Sequence, residues 1–213
     1  MVEQGCAAAY NIVKPGRMEW EVYNEFYAAV VKQAGSSVPF RGDFACGTRA
    51  LSDGGAPTRR PITAGDFFIL DIFPCYEGCH ADLCRTFAAS SISESEARAW
   101  ETVRDALALA ESLIRPGAKA STIWRELRQF LDGFEAARGS FRHHAGHGIG
   151  LDGQEFPWLI SGSDQTLRAG EVLALEPALY GESLKGGIRL EDNYVVTETG
   201  VKKLSTFPLE IKL

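Results

Sequence analysis

Four carboxylates and one histidine stand at spacings that favour a shared metal site. Asp71 and Asp82 are 11 residues apart across a predicted hairpin, and a second pair, Glu176 and Glu191, is 15 residues apart across another. His147 lies between the pairs in a Gly-His-Gly-Ile-Gly run, whose glycines let the backbone come close to a ligand. Four hard carboxylates and one imidazole suit a pair of divalent ions such as Mn, Co, Fe or Zn better than a lone structural zinc.

The first acid of each pair ends a duplicated segment. Ala64–Asp71 recurs as Ala169–Glu176, 105 positions further along the chain. Each copy is an apolar run bounded by glycine and charge, which is typical of a buried strand. Burying a carboxylate costs free energy unless a cation or hydrogen-bond donors contact it. The repeat therefore predicts two half-sites that converge on a shared positive charge, and we expect that charge to be metal.

The duplication also includes the segments before these strands. Ile12–Gly16 and Leu113–Gly117 share two apolar residues, a basic residue and a Pro-Gly pair, 101 positions apart. Similarity at a nearly fixed period indicates internal duplication, with copies at about residues 1–90 and about residues 92–200. Nothing in the length requires more than one domain, so we expect a single domain over residues 1–213.

Each half is predicted to contain a helix, a Pro-Gly break, a second helix, an irregular segment and a β-hairpin or meander. Ser93 and Glu96 form a predicted capping box ahead of a helix that reaches about Ile114. The strands that return after the two first acids are predicted at Cys79–Phe87 and Gly187–Val196. The fold class is therefore predicted to be α+β, with helices covering one face of a curved antiparallel sheet.

Composition and charge exclude several classes of protein. The formal net charge of -6 provides no basic field for a nucleic-acid backbone. No apolar run approaches the roughly 18 residues that a membrane span needs, and the N-terminus lacks the features of a signal peptide. We therefore expect a cytoplasmic protein with no nucleic-acid or membrane partner. The five cysteines, an odd number without a secretion signal, argue against a disulfide framework.

Cysteine and histidine residues surround Asp82. Cys75, Cys79 and His80 are close enough for a soft-metal site, but their spacing matches no standard zinc pattern, and reduced thiols beside a hairpin are the alternative. His80 and Cys84 each lie two residues from Asp82, which predicts that they share its face of the strand. Both an altered metal environment and ordinary packing remain open for them.

The predicted ligands lie in four blocks: Leu70-Asp71 with Ala81–Phe87, His143–Asp152, Leu175–Tyr180 and Gly187–Asp192. These blocks resemble the creatinase and methionine aminopeptidase superfamily, and they are most similar to its aminopeptidase P and prolidase (Xaa-Pro dipeptidase) branch. The resemblance spans nearly the whole chain, and five ordered ligands make it specific. It implies the pita-bread fold, whose two pseudo-symmetric halves agree with the repeat.

The resemblance also implies roles for individual residues. Two divalent metal ions per chain would be held by Asp71, Asp82, His147, Glu176 and Glu191. A metal-activated water would attack the scissile carbonyl, with Glu176 as general base. His143 matches a substrate-contacting or proton-shuttling histidine, and Arg189 and Tyr180 match positions that orient ligands or substrate. We expect His144, by contrast, to be structural or exposed.

Two histidines on the substrate side of the relatives are missing here. Gln154 stands where an active-site histidine usually precedes Glu, and Gly54 stands where the relatives commonly have Pro-His-Gly. Glutamine forms hydrogen bonds but cannot carry a proton as imidazole does. Peptide hydrolysis could continue if His143 and the metals carry the protons, but we expect lower efficiency or a changed substrate preference.

The chain also differs from the prolidase branch in length. Those relatives usually have an N-terminal domain that limits the substrate, whereas Met1 already lies in the first predicted helix. The chain is therefore either a minimal form or lacks an upstream portion. We expect the substrate end of the cleft to be more open, unless a partner subunit in a homodimer closes it.

Three functions follow from these residues. The first is a metal-dependent hydrolase of short peptides, of the Xaa-Pro aminopeptidase or dipeptidase type. The second is a hydrolase or lyase in which the same metals act on a small non-peptide substrate, because the missing histidines are on the substrate side. The third is a non-catalytic binding protein. The complete ligand set disfavours the third, because a binding module has no need for buried carboxylates.

Overall fold

Two pairs of helices cover antiparallel sheets in the computed structural model, which describes residues 1–51 and 54–211. The helices are α1 (Val2–Ile12), α2 (Glu19–Ala34), α3 (Glu94–Leu113) and α4 (Ala120–Leu131). The strands of the first half are β1 (Phe40–Cys46), β2 (Phe67–Tyr76), β3 (Cys79–His80) and β4 (Leu83–Ala88). Those of the second half are β5 (Gly146–Gly148), β6 (Glu155–Trp158), β7 (Val172–Leu175), β8 (Ala178–Gly181), β9 (Gly186–Arg189), β10 (Asp192–Val196) and β11 (Val201–Lys203).

The strands form two main sheets and a hairpin. In the first sheet β2 lies between β1 and β4, and β3 pairs with the end of β2. The second sheet has the order β11-β10-β7-β5-β6, and β8 pairs with β9. Every pairing of these strands is antiparallel. A bridge between Cys84 and Glu191 connects the two halves at the edge of the first sheet.

Each half has its own apolar core beneath its helices. In the first half, Val22 and Phe26 of α2 pack in one buried cluster with Phe44 of β1. In the second half, Val103 of α3 and Leu127 of α4 belong to a separate cluster. A third, smaller cluster joins the halves, because Ile69 and Cys84 of the first half pack with Ala178 and Tyr180 of the second.

The long helix α3 begins where the sequence predicts. The hydroxyl of Ser93 accepts a hydrogen bond from the Glu96 N–H at 3.2 Å, and the Glu96 carboxylate accepts one from the Ser93 N–H at 2.7 Å. This reciprocal capping box satisfies two N–H groups that a helix start otherwise leaves unpaired. No helix among the described residues is long and apolar enough to cross a membrane.

Arg85 of β4 forms hydrogen bonds that connect the two halves. Its guanidinium is 1% exposed, and it donates to the Asp192 carboxylate of β10 at 2.7 Å. It also donates to backbone carbonyls of Glu191 at 2.6 Å and Phe207 at 2.6 Å. A buried charge of this kind is tolerated because its N–H groups have partners.

The return strands differ from the prediction because both are interrupted at their acidic residue. Asp82 lies between β3 and β4, where its N–H donates to the Asn193 side chain at 3.0 Å instead of to a neighbouring strand. Glu191 lies between β9 and β10, and its N–H donates to the Cys84 carbonyl at 3.0 Å. The two acids that precede these return strands also differ in position, since Asp71 lies within β2 whereas Glu176 follows β7. The interruptions exist because each acid is bonded across the junction between the halves.

Candidate metal centre

The five predicted metal ligands are all buried. The exposed fraction is 7% for Asp71, 3% for Asp82, 0% for His147, 6% for Glu176 and 1% for Glu191. They come from both halves of the chain, and the donor atoms of Asp82, His147 and Glu191 lie within 4.8 Å of one another. Carboxylates are rarely buried this deeply unless they are paired or coordinate a metal.

Four of these side chains each have a buried oxygen or nitrogen atom that could bind a metal ion and that has no hydrogen-bond partner among the described residues. The atoms are Asp71 Oδ1, Asp82 Oδ1, His147 Nε2 and Glu191 Oε1. A buried polar atom without a partner is unusual in a native fold, and a metal ion is one of its standard explanations. The set of three carboxylate oxygens and one imidazole nitrogen fits divalent transition metals.

His147 is held with one nitrogen turned toward the acids. Its Nδ1 lies 2.9 Å from the Gly148 carbonyl, so it carries the proton and donates it there. Its Nε2 therefore has a free lone pair, and it lies 3.6 Å from Asp82 Oδ2 and 3.5 Å from Glu176 Oε1. A hydrogen bond from the far nitrogen to a carbonyl is the usual way in which proteins orient a metal-binding histidine.

The crowding of carboxylates has a clear electrostatic effect. Burial, followed by the charges of Asp71 and Glu176, raises the pKa of Asp82 well above its usual range. Burial, followed by the charge of Asp82, raises the pKa of Glu191 in the same way. Without cations these two groups are therefore protonated in the folded protein at pH values where an exposed carboxyl is ionised.

Glu176 behaves differently because histidines surround it. Burial would raise its pKa, but the adjacent His144 imidazole and the charges of His143 and Arg189 lower the pKa to about 2. Oε1 of Glu176 lies 2.9 Å from His144 Nδ1, and Oε2 lies 3.8 Å from His143 Nδ1. Glu176 is thus ionised at neutral pH.

Arg189 supplies a fixed positive charge beside the acids. Its Nη2 donates to Asp71 Oδ2 at 2.5 Å and to Asp43 Oδ2 at 2.7 Å. Asp43 lies on β1 directly opposite Asp71 in the strand register. Burial and the Asp71 charge raise the pKa of Asp43 despite its contact with Arg189. The guanidinium thus occupies one oxygen of Asp71 and leaves the other, Oδ1, free.

A hydrogen-bonded chain runs from Arg189 to His143. Arg189 Nη1 donates to the Tyr180 hydroxyl at 3.2 Å, and that hydroxyl lies 3.2 Å from His143 Nε2. His143 Nδ1 lies 2.7 Å from the carbonyl of His144 and donates to it. Both nitrogens of His143 are therefore engaged, and burial lowers the pKa of this residue.

Of the other predicted site residues, Cys84 adjoins the ligands, because it lies opposite Asp71 in the strand register. His80 and Gln154 line a cavity of about 580 Å³ that none of the five ligands lines. Cys84 is buried with its sulfur 3.5 Å from the Arg189 carbonyl, so it packs behind the site. Gly54 lies beside Asp43, where a Cβ at position 54 would be 2.9 Å from Asp43 Cβ.

Sequence reasoning missed two residues of this site. Asp43 directly precedes the apolar run Phe44–Cys46, whereas the signal that marked Asp71 was a repeated apolar run that ends on the acid. His144, expected to be structural or exposed, lies 2.9 Å from the Glu176 carboxylate. No spacing rule marks His144, because its neighbour is 32 positions away in the chain (144 against 176).

The fold brings candidate metal ligands together from both halves of the chain, as expected of a metalloenzyme domain, and this class agrees with the comparisons with known proteins. The model of metallopeptidase family M24 matches residues 1–198, so the chain belongs to that family. Solved structures of family members have the pita-bread fold, which confirms the predicted fold class.

Two curated relatives illustrate the similarity. The chain is 32% identical over 204 residues to "Uncharacterized peptidase YqhT" of Bacillus subtilis, covering 94% of this chain and 56% of that protein. It is 29% identical over 213 residues to "Xaa-Pro dipeptidase" of Pyrococcus furiosus, covering 99% of this chain and 60% of that protein. The chain thus spans a little over half the length of these relatives.

Two solved structures give the same result. Dipeptidase PepE from Mycobacterium ulcerans superposes with a TM-score of 0.91 at 29% identity, covering 99% of this chain and 56% of that one. Prolidase from Pyrococcus furiosus superposes with a TM-score of 0.89 at 27% identity, covering 96% of this chain and 60% of that one.

The raised pKa values of Asp82 and Glu191 predict that the folding stability of the metal-free protein depends on pH. The unfolded chain releases the protons of Asp82 and Glu191 at about pH 4, before the folded protein does, so their contribution to folding stability falls as the pH rises above about 4. We expect Asp82→Asn, measured by urea unfolding with a chelator present, to become progressively more stable than the parent by up to about 1.4 kcal/mol per pH unit.

Asp105→Asn is the matched control, because it removes a carboxylate of the same kind from a solvent-exposed position. Adding Mn or Co should make the parent more stable than Asp82→Asn, because the deprotonated Asp82 carboxylate can then bind metal. A constant difference between Asp82→Asn and the parent from pH 4 to pH 7 would contradict the electrostatic account.

Proposed function

We propose that this chain is the catalytic domain of a dinuclear-metal hydrolase of short peptides, of the Xaa-Pro dipeptidase or aminopeptidase type. The observation that carries the proposal is a group of four buried oxygen and nitrogen atoms that have no hydrogen-bond partner in the described part of the chain, on Asp71, Asp82, His147 and Glu191. Family membership supports a peptide bond as the target, and the relative from Pyrococcus furiosus is named "Xaa-Pro dipeptidase". The acids and the imidazole would together hold two divalent ions.

Glu176 is suited to be the general base of this reaction. Divalent ions bound in such a site supply Lewis-acid activation of a water and of the scissile carbonyl. Glu176 is ionised at neutral pH, so its carboxylate has a lone pair for the proton of the attacking water, and the pKa that its neighbours hold at about 2 has to rise in the reacting complex for Glu176 to keep that proton. Its Oε1 faces His147, which leaves Oε2 for the proton.

Arg189, Tyr180 and His143 would position the reacting groups. Arg189 fixes the Asp71 carboxylate, so that the free oxygen of Asp71 keeps one orientation. The Tyr180 hydroxyl accepts from Arg189 and donates to His143, which fixes the imidazole as the tautomer protonated at Nδ1. A proton shuttle through His143 would have to pass through Tyr180, because both nitrogens of the imidazole are engaged.

A small non-peptide substrate is the second candidate, and one observation favours it. Asp43 lies where the side chain of a residue at position 54 would extend, and Gly54 has a φ of +78°, which a residue with a side chain rarely adopts. A carboxylate therefore occupies the place where the resemblance to the prolidase branch implies a histidine. Such a change can alter the substrate without altering the metal chemistry.

Replacing Glu176 by Gln tests the general base. We expect turnover of Xaa-Pro peptides by the metal-loaded protein to fall by about 10²- to 10⁴-fold, because glutamine cannot accept the proton. The kcat is measured on a panel of Xaa-Pro dipeptides and longer Xaa-Pro peptides, and bound metal is counted in parallel to separate catalysis from metal loss. Glu182→Gln, at an exposed position, is the matched control.

The panel also decides between the two candidate functions. Turnover of Xaa-Pro peptides by the parent above the level of Asp82→Ala supports the peptidase. No turnover by a parent that binds metal would refute the peptidase and favour the small-molecule hydrolase or lyase.

Gln154 and Gly54, which stand where the resemblance implies histidines, are expected to respond differently to replacement by histidine. Gln154→His should raise peptide turnover, because residue 154 lines an open cavity and the imidazole adds a proton carrier. Gly54→His should lower stability by at least about 1 kcal/mol, because it combines a positive φ with a collision against Asp43. Kinetics and urea unfolding measure the two effects.

Gly200→Ala is the control for the loss of a glycine, since its φ is not positive and a Cβ there meets no atom within 4 Å. A fully stable and more active Gly54→His variant would show that Asp43 does not block this position.

A further inference from the structure

His144 brings a second imidazole to the Glu176 carboxylate. Its Nδ1 lies 2.9 Å from Glu176 Oε1, which is ion-pair distance, but the two groups are not aligned as a hydrogen bond, and this buried nitrogen has no hydrogen-bond partner among residues 1–51 and 54–211. The side chain is 21% exposed, so most of the imidazole is shielded from water. When the imidazole is neutral and its proton is on Nε2, Nδ1 has a lone pair that a metal ion shared with the Glu176 carboxylate would bind.

His147 faces the same carboxylate oxygen. Its Nε2 lies 3.5 Å from Glu176 Oε1 and likewise has no hydrogen-bond partner in the described part of the chain. Protein ligands lie about 2.0 to 2.2 Å from a divalent ion, so two ligands at neighbouring positions of one ion are about 3 to 3.5 Å apart. The separations of 2.9 Å and 3.5 Å match that range.

The aromatic surroundings hold His144 in this position. Its ring centroid is 5.3 Å from that of Trp158 and 5.3 Å from that of His147, both in edge-to-face arrangements. Trp158 also packs against His147 at 5.7 Å. One indole thus orients both imidazoles, and such packing is what keeps ligand side chains in a productive geometry.

A separate ion between His143, His144 and Glu176 is a weaker explanation. Donor atoms of these three residues do lie within 4.8 Å of one another. However, His143 Nδ1 is bonded to the His144 carbonyl at 2.7 Å, and His143 Nε2 contacts the Tyr180 hydroxyl at 3.2 Å. His143 would have to break one of these bonds to bind an ion, whereas His144 and His147 need break none.

We propose that His144 Nδ1 is an additional ligand of the ion that His147 and Glu176 share. The inference rests on the proposed dinuclear centre and adds a sixth protein ligand to it. One ion then has two imidazole ligands, which favours Zn²⁺, Fe²⁺ or Ni²⁺ over Mn²⁺, because imidazole suits the former metals and carboxylates suit the latter. His144 therefore tunes which metal this chain retains.

The test is metal binding by the full chain after removal of metal with a chelator. Calorimetric titration should give two Zn²⁺ ions per parent chain. In His144→Ala, we expect the affinity of one of the two sites for Zn²⁺ to fall at least tenfold and its affinity for Mn²⁺ to fall less. His80→Ala, which removes a half-buried imidazole from the cavity wall, should bind both metals as the parent does.

Each other outcome overturns the proposal in an identifiable way. Parent-like Zn²⁺ affinity in His144→Ala overturns this ligand alone and leaves the dinuclear centre intact. Three ions in the parent and two in the variant would mean a separate site. A parent that binds no metal overturns both the ligand and the proposed function.

X-ray absorption of the zinc-loaded parent needs no variant and is unaffected by a folding defect. If His144 and His147 both bind metal, scattering from imidazole should average one ring per zinc. An average of half a ring per zinc, from His147 alone, would overturn the proposal.

Discussion

The central constraint on this molecule is the burial of several carboxylates within a few ångströms of one another. Asp82 and Glu191 are at most 3% exposed, and each has an oxygen without a hydrogen-bond partner among the described residues. Like charges buried together oppose folding unless protons or cations neutralise them. The acids come from both halves of the chain, so the electrostatic cost is concentrated where the halves meet.

The groups around the acids control how each one is used. Arg189 binds one oxygen of Asp71 and shares its charge with Asp43, so the guanidinium neutralises part of the cluster without occupying every oxygen. Histidines keep Glu176 ionised while its buried neighbours favour protonation. The same cluster thus contains one ionised carboxylate and two carboxyl groups that favour protonation; in the proposed function the first would be the base and the others would bind the ions.

Much of this arrangement could be predicted from the sequence because duplication leaves a local record. The repeated apolar run marked Asp71 and Glu176, and the capping box marked the start of α3. The interruptions at Asp82 and Glu191 could not be predicted, since they depend on contacts with Asn193 and Cys84 more than 100 positions away. His144 and Asp43 escaped for a similar reason, because their importance comes from neighbours that only the folded chain brings close.

The number of metal ions retained by the full chain tests the account most directly. The protein is prepared without chelator, its bound metal is counted, and the count is repeated after addition of Mn or Co and in Asp82→Ala. The account predicts two ions per chain in the parent and fewer in the variant, because the unpaired carboxylate oxygens need cations. A stable, folded parent that binds no metal even after Mn or Co is added would contradict it.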